Sequence, residues 1–185
     1  MKERIGVTHN ELVEINRLYA PFSHATTKEN ARIIDECGLM PRKETGSGGV
    51  YCDWFQSMDD RIYFASARYG GYHSINALTH AFGDDMKKVY RDGVVYLLAE
   101  ITPELAPFLA IDEDCLEEAE RNNEQTRSDY EGREEELPSV HMWNCDNALT
   151  SLDLIHAVAI AHVVPRDMLV KMSVKRFCER FYASC

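Results

Sequence analysis

The sequence predicts one α+β domain spanning residues 1–185, and three observations carry that prediction. The 185 residues, 45% hydrophobic and 10% aromatic, suffice for one sizeable core and leave little room for a second. Short apolar runs of strand composition are interleaved with segments of helical period. That interleaving has no regular strand–helix–strand rhythm, which points away from a doubly wound parallel sheet.

The elements follow in chain order. Pro21 to Arg42 is the first coherent unit. Thr26 and Glu29 have capping-box spacing, Ala31, Ile33, Ile34 and Cys37 form a helical stripe, and Gly38 stops it. His24 stands at its entrance. Residues 43–60 read as a loop with a flexible Gly46–Gly49 tip, followed by a turn. Arg61 to Ala65 is a short β-rich strand, after which the chain bends through Gly70-Gly71. Ile75, Leu78, Ala81 and Phe82 mark a helix closed by Gly83. Val94 to Ile101 is apolar on both faces, as a central strand must be, and Pro103 ends it. Leu154 to Val164 reads as a second strong strand, and Pro165-Arg166-Asp167 as a turn. The segment from Met168, with Met172, Phe177 and Phe181, is a last element packing on the core.

Charge is distributed unevenly. Twelve acids and three arginines in residues 112–136 concentrate a net charge of −9 there, out of −11 for the chain. This acidic stretch (112–137 as an insertion) reads as a solvated helix or a mobile loop, because like charges repel and no continuous apolar stripe runs through it. An acidic chain repels phosphates, so nucleic acid is a disfavoured partner, although the near-neutral remainder has room for a small basic patch. No apolar run approaches the roughly 20 residues of a bilayer span, and residues 1–20 lack a signal peptide's apolar centre. The expected compartment is the cytosol, with a signal-free export route left open and no membrane partner. The six cysteines, at 37, 52, 115, 145, 178 and 185, include no Cys-x-x-Cys pair, and in that compartment they read as free thiols.

Several motif tests come back empty: no phosphate-binding Gly-x-x-x-x-Gly-Lys loop, dinucleotide fingerprint, Gly-x-Ser-x-Gly elbow or His-Glu-x-x-His. His141 with Cys145, and His156 with His162 on one strand face, offer ligand types without ligand spacing, so no metal is expected.

The informative constellation lies between His24 and Tyr72. His24-Ala25-Thr26, a helix, Gly38-Leu39, a loop, and Ile62-Tyr63-Phe64-Ala65 with nearby tyrosines resemble the catalytic domain of the poly(ADP-ribose) polymerase family. In that family a His-Gly-Ser/Thr strand end, a helix with Gly-Leu and a Gly-Ile-Tyr-Phe-Ala strand follow one another in the same order. Val94 to Ile101 resembles its next core strand, and Ile160–Val164 with Met168–Met172 its C-terminal strand pair. The resemblance covers most of residues 20–172, apart from the acidic stretch.

It implies an ADP-ribosyltransferase-like split antiparallel sheet with an NAD-binding cleft. It also implies cleavage of the bond between nicotinamide and ribose through an oxocarbenium-like state, with NAD as substrate. On this resemblance His24 orients the ribose, Ala25 supplies the backbone contact, Thr26 a supporting hydroxyl, and Tyr63 the tyrosine of the family's His-Tyr-Glu triad. Tyr72 is the second, stacking tyrosine, with Tyr69 as the alternative. Arg68, on charge alone, is assigned to a pyrophosphate. An imidazole suits sugar hydroxyls, and a tyrosine face suits a flat, cation-forming ring.

Two departures stand out. Ala25 replaces the family's usual glycine and adds a methyl group where backbone should meet nicotinamide. Leu154 occupies the third triad position, where polymerising members have glutamate; its hydrophobic character matches branch members that transfer a single ADP-ribose. On a strand, His156 would share its face and Asp153 would point away. Glu134, Glu135 and Glu136 are further carboxylates in a possible loop. The leading expectation is therefore transfer of one ADP-ribose from NAD to a protein or nucleic-acid acceptor. A non-catalytic NAD- or partner-binding module comes second and an RNA 2′-phosphotransferase-like enzyme third. Cysteine–histidine hydrolysis through Cys52 or Cys145 is the fourth.

Overall fold

The computed structural model describes residues 4–45, 58–69, 71–129 and 144–182, with positions 71–73 and 77 described by backbone alone. Six antiparallel strands form one open sheet in a mixed α+β fold. They are β1 (Phe22–Thr27), β2 (Ile62–Ser66), β3 (Gly93–Leu98), β4 (Leu109–Ile111), β5 (Ala157–Ile160) and β6 (Leu169–Ser173), in the spatial order β4-β5-β2-β1-β3-β6. The helices are α1 (His9–Tyr19), α2 (Lys28–Cys37), the single turn α3 (Arg42–Thr45), α4 (Gly71–Ala81), α5 (Met86–Asp92), α6 (Asp114–Asp129), α7 (Ala148–Ile155) and α8 (Val174–Phe181).

Both sheet faces are covered. On one, Phe22, Phe64, Tyr96 and Leu98 meet the apolar stripes of α1, α2 and α7. On the other, Val95, Leu97 and Met172 meet α4, α5 and α8. Burial on two sides explains why β3 is apolar throughout: all six of its residues are buried. It ends at Leu98, three residues before the end expected from the apolar run. The segment beyond carries the charge of Glu100, while Ile101 donates its N–H to the Asn16 side chain at 2.9 Å.

The central seam is short. β1 pairs with β3 over six residue pairs and β2 with β5 over four, but β1 and β2 pair only through Phe22–Ser66 and Ser23–Ala65. Beyond Ser23 the two strands part, leaving a gap in the middle of the sheet. Opposite this opening, Tyr96 donates its buried hydroxyl to Ala31 O and Asp35 Oδ1, both at 2.9 Å, and so fastens α2 to the sheet. Arg166 and Lys171 hold the same Asp35 from the other side.

Several sequence expectations need correction. The cap of α2 is Thr27, whose hydroxyl accepts from Asn30 N–H; Thr26 continues the ladder with β3 opposite Val94. A capping box of the expected kind does exist in Thr8-x-x-Glu11 at the start of α1, a helix the sequence reading passed over. Residues 154–164 are not one strand. Leu154 lies in α7, His156 caps that helix with a left-handed backbone (φ 59°), and only 157–160 are strand. His162, beyond the strand, stacks on Phe108 at 4.2 Å, so it shares no strand face with His156. The acidic stretch forms α6 as far as Asp129, with only Cys115 and Ala119 buried among its sixteen residues. Gly46–Gly49, Cys52, Glu134–Glu136 and His141 lie outside the described residues.

Cys115 and Cys145 are not free thiols. They form a disulfide, Cα atoms 6.1 Å apart, in a small core shared with Ile111, Ala119 and Leu154. This cross-link ties a self-repelling acidic helix to the domain. Cys37 and Cys178 are free.

Gly38 ends α2 with φ 82°, and a Cβ there would sit 2.7 Å from Val164 O, in the bridge that pairs Leu39 with Val164. Gly38→Ala is expected to cost roughly 1–3 kcal/mol, read as a lower urea midpoint at unchanged slope. Alkylation of the denatured chain is expected to label at least two of the six cysteines only after reduction, with Cys115→Ser costing roughly 3 kcal/mol.

Candidate functional site

The gap between β1 and β2 opens into a cavity of about 200 Å³. Its walls come from three segments. β1 contributes His24, Ala25 and Thr26; α2 contributes Asn30, Ile33 and Ile34; and the start of β2 contributes Ile62 and Tyr63 behind Arg61. Gly38 to Met40, with Arg42 and Thr45, close one side. The wall along α2 is apolar at Ile33 and Ile34, while polar groups come from Asn30, Arg42, Thr45 and both strands.

His24 bridges the seam. Its Nδ1 lies 2.9 Å from the carbonyl oxygen of Tyr63, just past the point where the backbone ladder stops. A carbonyl can only accept, so Nδ1 carries the proton. Burial holds the imidazole below its ordinary pKa, outweighing the raising effect of that bond. The ring is therefore neutral, with an acceptor lone pair on Nε2, an atom to which no described residue bonds. Thr27 serves as the helix cap, so the Thr26 hydroxyl is not spent on α2. Ala25 packs partly against the α4 side of the sheet while lining the cavity.

Tyr63 ends in a buried ionic network. Its hydroxyl donates to Glu113 Oε2 at 2.5 Å, and Arg61 Nη1 lies 3.0 Å from Glu113 Oε1. Arg61 is 5% exposed and Glu113 18%, so this charge pair is largely withdrawn from water. Burial first, and then the Glu113 hydrogen bond, push the phenol's ionisation upward, keeping it protonated. Next to it, Asp112 is pushed up to about 7, chiefly by burial and then by the charge of Asp114, with Arg61 opposing.

The residues singled out in the sequence are thus divided. His24, Ala25, Thr26 and Tyr63 meet at one cavity. Arg68 and Tyr69 do not, because they follow the Ser66 end of β2 whereas the cavity lies at its Ile62 end. Arg68 donates to Arg17 O at 3.4 Å, and Tyr69 is 59% exposed beside Tyr19 and His156. Tyr72 lies in the first turn of α4, and its side chain is outside the described residues. Leu154 packs in the disulfide core instead of on a strand, and the β5 residue opposite Tyr63 is Ala159. Cys145 has no thiol to act as a nucleophile.

Two residues of the site were not read from the sequence. Glu113 was one charge in a run of twelve acids, which composition cannot tell apart from its solvated neighbours. Arg61 had a usable signal, since an arginine abutting an apolar strand needs a carboxylate partner if the strand is central. Among the described residues no group of three or more His, Cys, Asp or Glu is placed to hold a metal ion, and no helix is long and apolar enough to cross a membrane.

No family model matches the sequence, and no curated protein or solved structure matches it either.

Asp112 provides a pH test of this network. Its folded pKa lies above the ordinary aspartate value, so its stabilising contribution is intact at low pH and is lost as pH rises through about 7. Relative to the wild type, Asp112→Asn is expected to gain roughly 2–3 kcal/mol in urea unfolding between pH 5 and pH 8.5. An equal difference at both pH values would contradict this.

Proposed function

We propose that this chain is an NAD-dependent transferase that moves a single ADP-ribose from NAD to a macromolecular acceptor and releases nicotinamide. One observation carries the reading: His24 and Tyr63, thirty-nine positions apart, meet at a single cavity, with the imidazole 2.9 Å from the tyrosine's own carbonyl. These are the residues on which the resemblance to the poly(ADP-ribose) polymerase family rests, and Ala25 and Thr26 accompany them. Further support comes from the sheet, whose halves part next to His24, in keeping with a split antiparallel sheet around an NAD cleft.

In this reading the neutral His24 accepts a hydrogen bond at Nε2 from a ribose hydroxyl and so fixes the sugar. The Thr26 hydroxyl and the Ala25 backbone meet the carboxamide. The apolar wall of Ile33, Ile34 and Leu39 excludes water from the flat ring. As nicotinamide departs, the electron pair of the glycosidic bond goes to its ring nitrogen; the acceptor's nucleophilic atom then bonds to the cationic anomeric carbon and gives its proton to solvent. Leu154 takes no part, because it lies in the disulfide core.

A second reading, a non-catalytic module that binds NAD or a related ligand, is favoured by two details. The Ala25 methyl lines the cavity where the family has glycine, and Ala159 leaves β5 without a carboxylate opposite Tyr63. Incubation with NAD labelled in its adenylate half separates the two. A transferase releases nicotinamide and labels protein; a binding module does neither but is stabilised thermally by NAD. His24→Ala is expected to reduce nicotinamide release roughly 100-fold while leaving the folded spectrum unchanged. Unaltered turnover in that variant would remove His24 from the reaction.

A further inference from the structure

The carboxylate next to the cavity comes from the junction of β4 and α6, not from β5. β5 lies between β4 and β2, and the registers align Tyr63 with Ala159 and Ala159 with Ala110 on one sheet face. Those alanines are small, and the phenol of Tyr63 reaches Glu113 across that face. The carboxylate is divided between two partners: Oε2 accepts the phenol's hydrogen bond at 2.5 Å, and Oε1 lies 3.0 Å from Arg61 Nη1. Arg61 is in turn held by Ile111 O at 3.3 Å and lies 3.7 Å from Asp60. Two residues beyond Glu113, Cys115 is bonded to Cys145, which anchors the first turn of α6. Rotating the carboxylate would break the phenol hydrogen bond or pull it from the guanidinium inside a mostly dry environment, where stranding a charged group is expensive.

We propose that Glu113 is a positioning residue of the cavity: by accepting the hydrogen bond of the Tyr63 phenol it fixes the ring, and the phenol oxygen, with Met58 O 3.4 Å away, is left to accept from a ligand. His24 Nε2 is an acceptor as well. At these two atoms the cavity therefore presents acceptors, and it favours ligands that bring hydroxyl donors to them, such as the diol of a ribose. Its ligand identity rests on the function proposed above; its geometry does not.

Calorimetric titration of NAD into the wild type, Tyr63→Phe, Glu113→Ala and the double variant tests the linkage. Each single change is expected to weaken binding about tenfold, as for one lost hydrogen bond, and the double variant no further. Glu113→Gln, which keeps an acceptor oxygen for the phenol, is expected to recover most of the affinity lost in Glu113→Ala. Losses that multiply to about hundredfold in the double variant would mean that Glu113 acts apart from Tyr63, and the proposal would be overturned. A wild type that binds no NAD would defeat the proposed function, not the positioning role. That role has its own readout in the ring-carbon NMR signals of isotope-labelled tyrosine. The signal lost in Tyr63→Phe should shift in Glu113→Gln, with its titration moving to lower pH. This measurement also carries the test should Glu113→Ala fail to fold. A Tyr63 signal indifferent to Glu113→Gln refutes the assignment.

Discussion

The architecture of this domain turns on the place where two neighbouring strands stop pairing. Past Ser23, the edge of β1 facing β2 is no longer held by backbone bonds, and a side chain takes over: His24 satisfies the carbonyl of Tyr63 from across the opening. A seam left open in water would simply be solvated. Here the imidazole both meets a backbone group's need for a partner and acquires a defined tautomer, so a contact that bridges the sheet just past its two backbone pairs is also the one that gives the cavity its chemistry.

Keeping that opening in shape demands rigid walls. α2 cannot drift, because Tyr96 ties its backbone and Asp35 to the middle of β3, and because Gly38 brings the chain close enough for Leu39 to bridge Val164. On the far side, the Arg61–Glu113–Tyr63 network is withdrawn from water. Buried charges of this kind contribute little net stability but impose geometry, since each partner is costly to strand. The disulfide core under α6 has a similar effect at larger scale, keeping an acidic helix in place despite its internal repulsion.

Much of the first half of the chain was legible as sequence. The helix after His24, its stop at Gly38, the strand around Tyr63 and the helix before Gly83 all follow from local signals of periodicity and punctuation. The errors have local causes too. Thr26 and Thr27 are chemically equal candidates for a cap, and the choice fell to Thr27 because it ends the ladder with β3, opposite Gly93, directly before the helix. Leu154 to Val164 is apolar apart from His156 and His162, and such runs do not distinguish a buried helix from a buried strand. Asn147, which caps α7 several residues upstream, decides where the helix begins. The cysteine reading failed because pairing depends on the approach of residues 30 positions apart, which no spacing rule conveys.

By itself the sequence determined the class of the fold, the order of the helix after His24, the strand around Tyr63 and the helix before Gly83, and the pairing of His24 with Tyr63 as chemical candidates. These depend on residue type and on contacts within a few positions. Tertiary structure alone decided that Arg68, Tyr69 and Leu154 stand away from them, that Glu113 leaves the acidic run to join them, and that Cys115 finds Cys145. The physical reason is sheet order: β5 enters between β4 and β2 although about half of the chain separates it from β2, and side chains meet by strand register, not by distance along the chain.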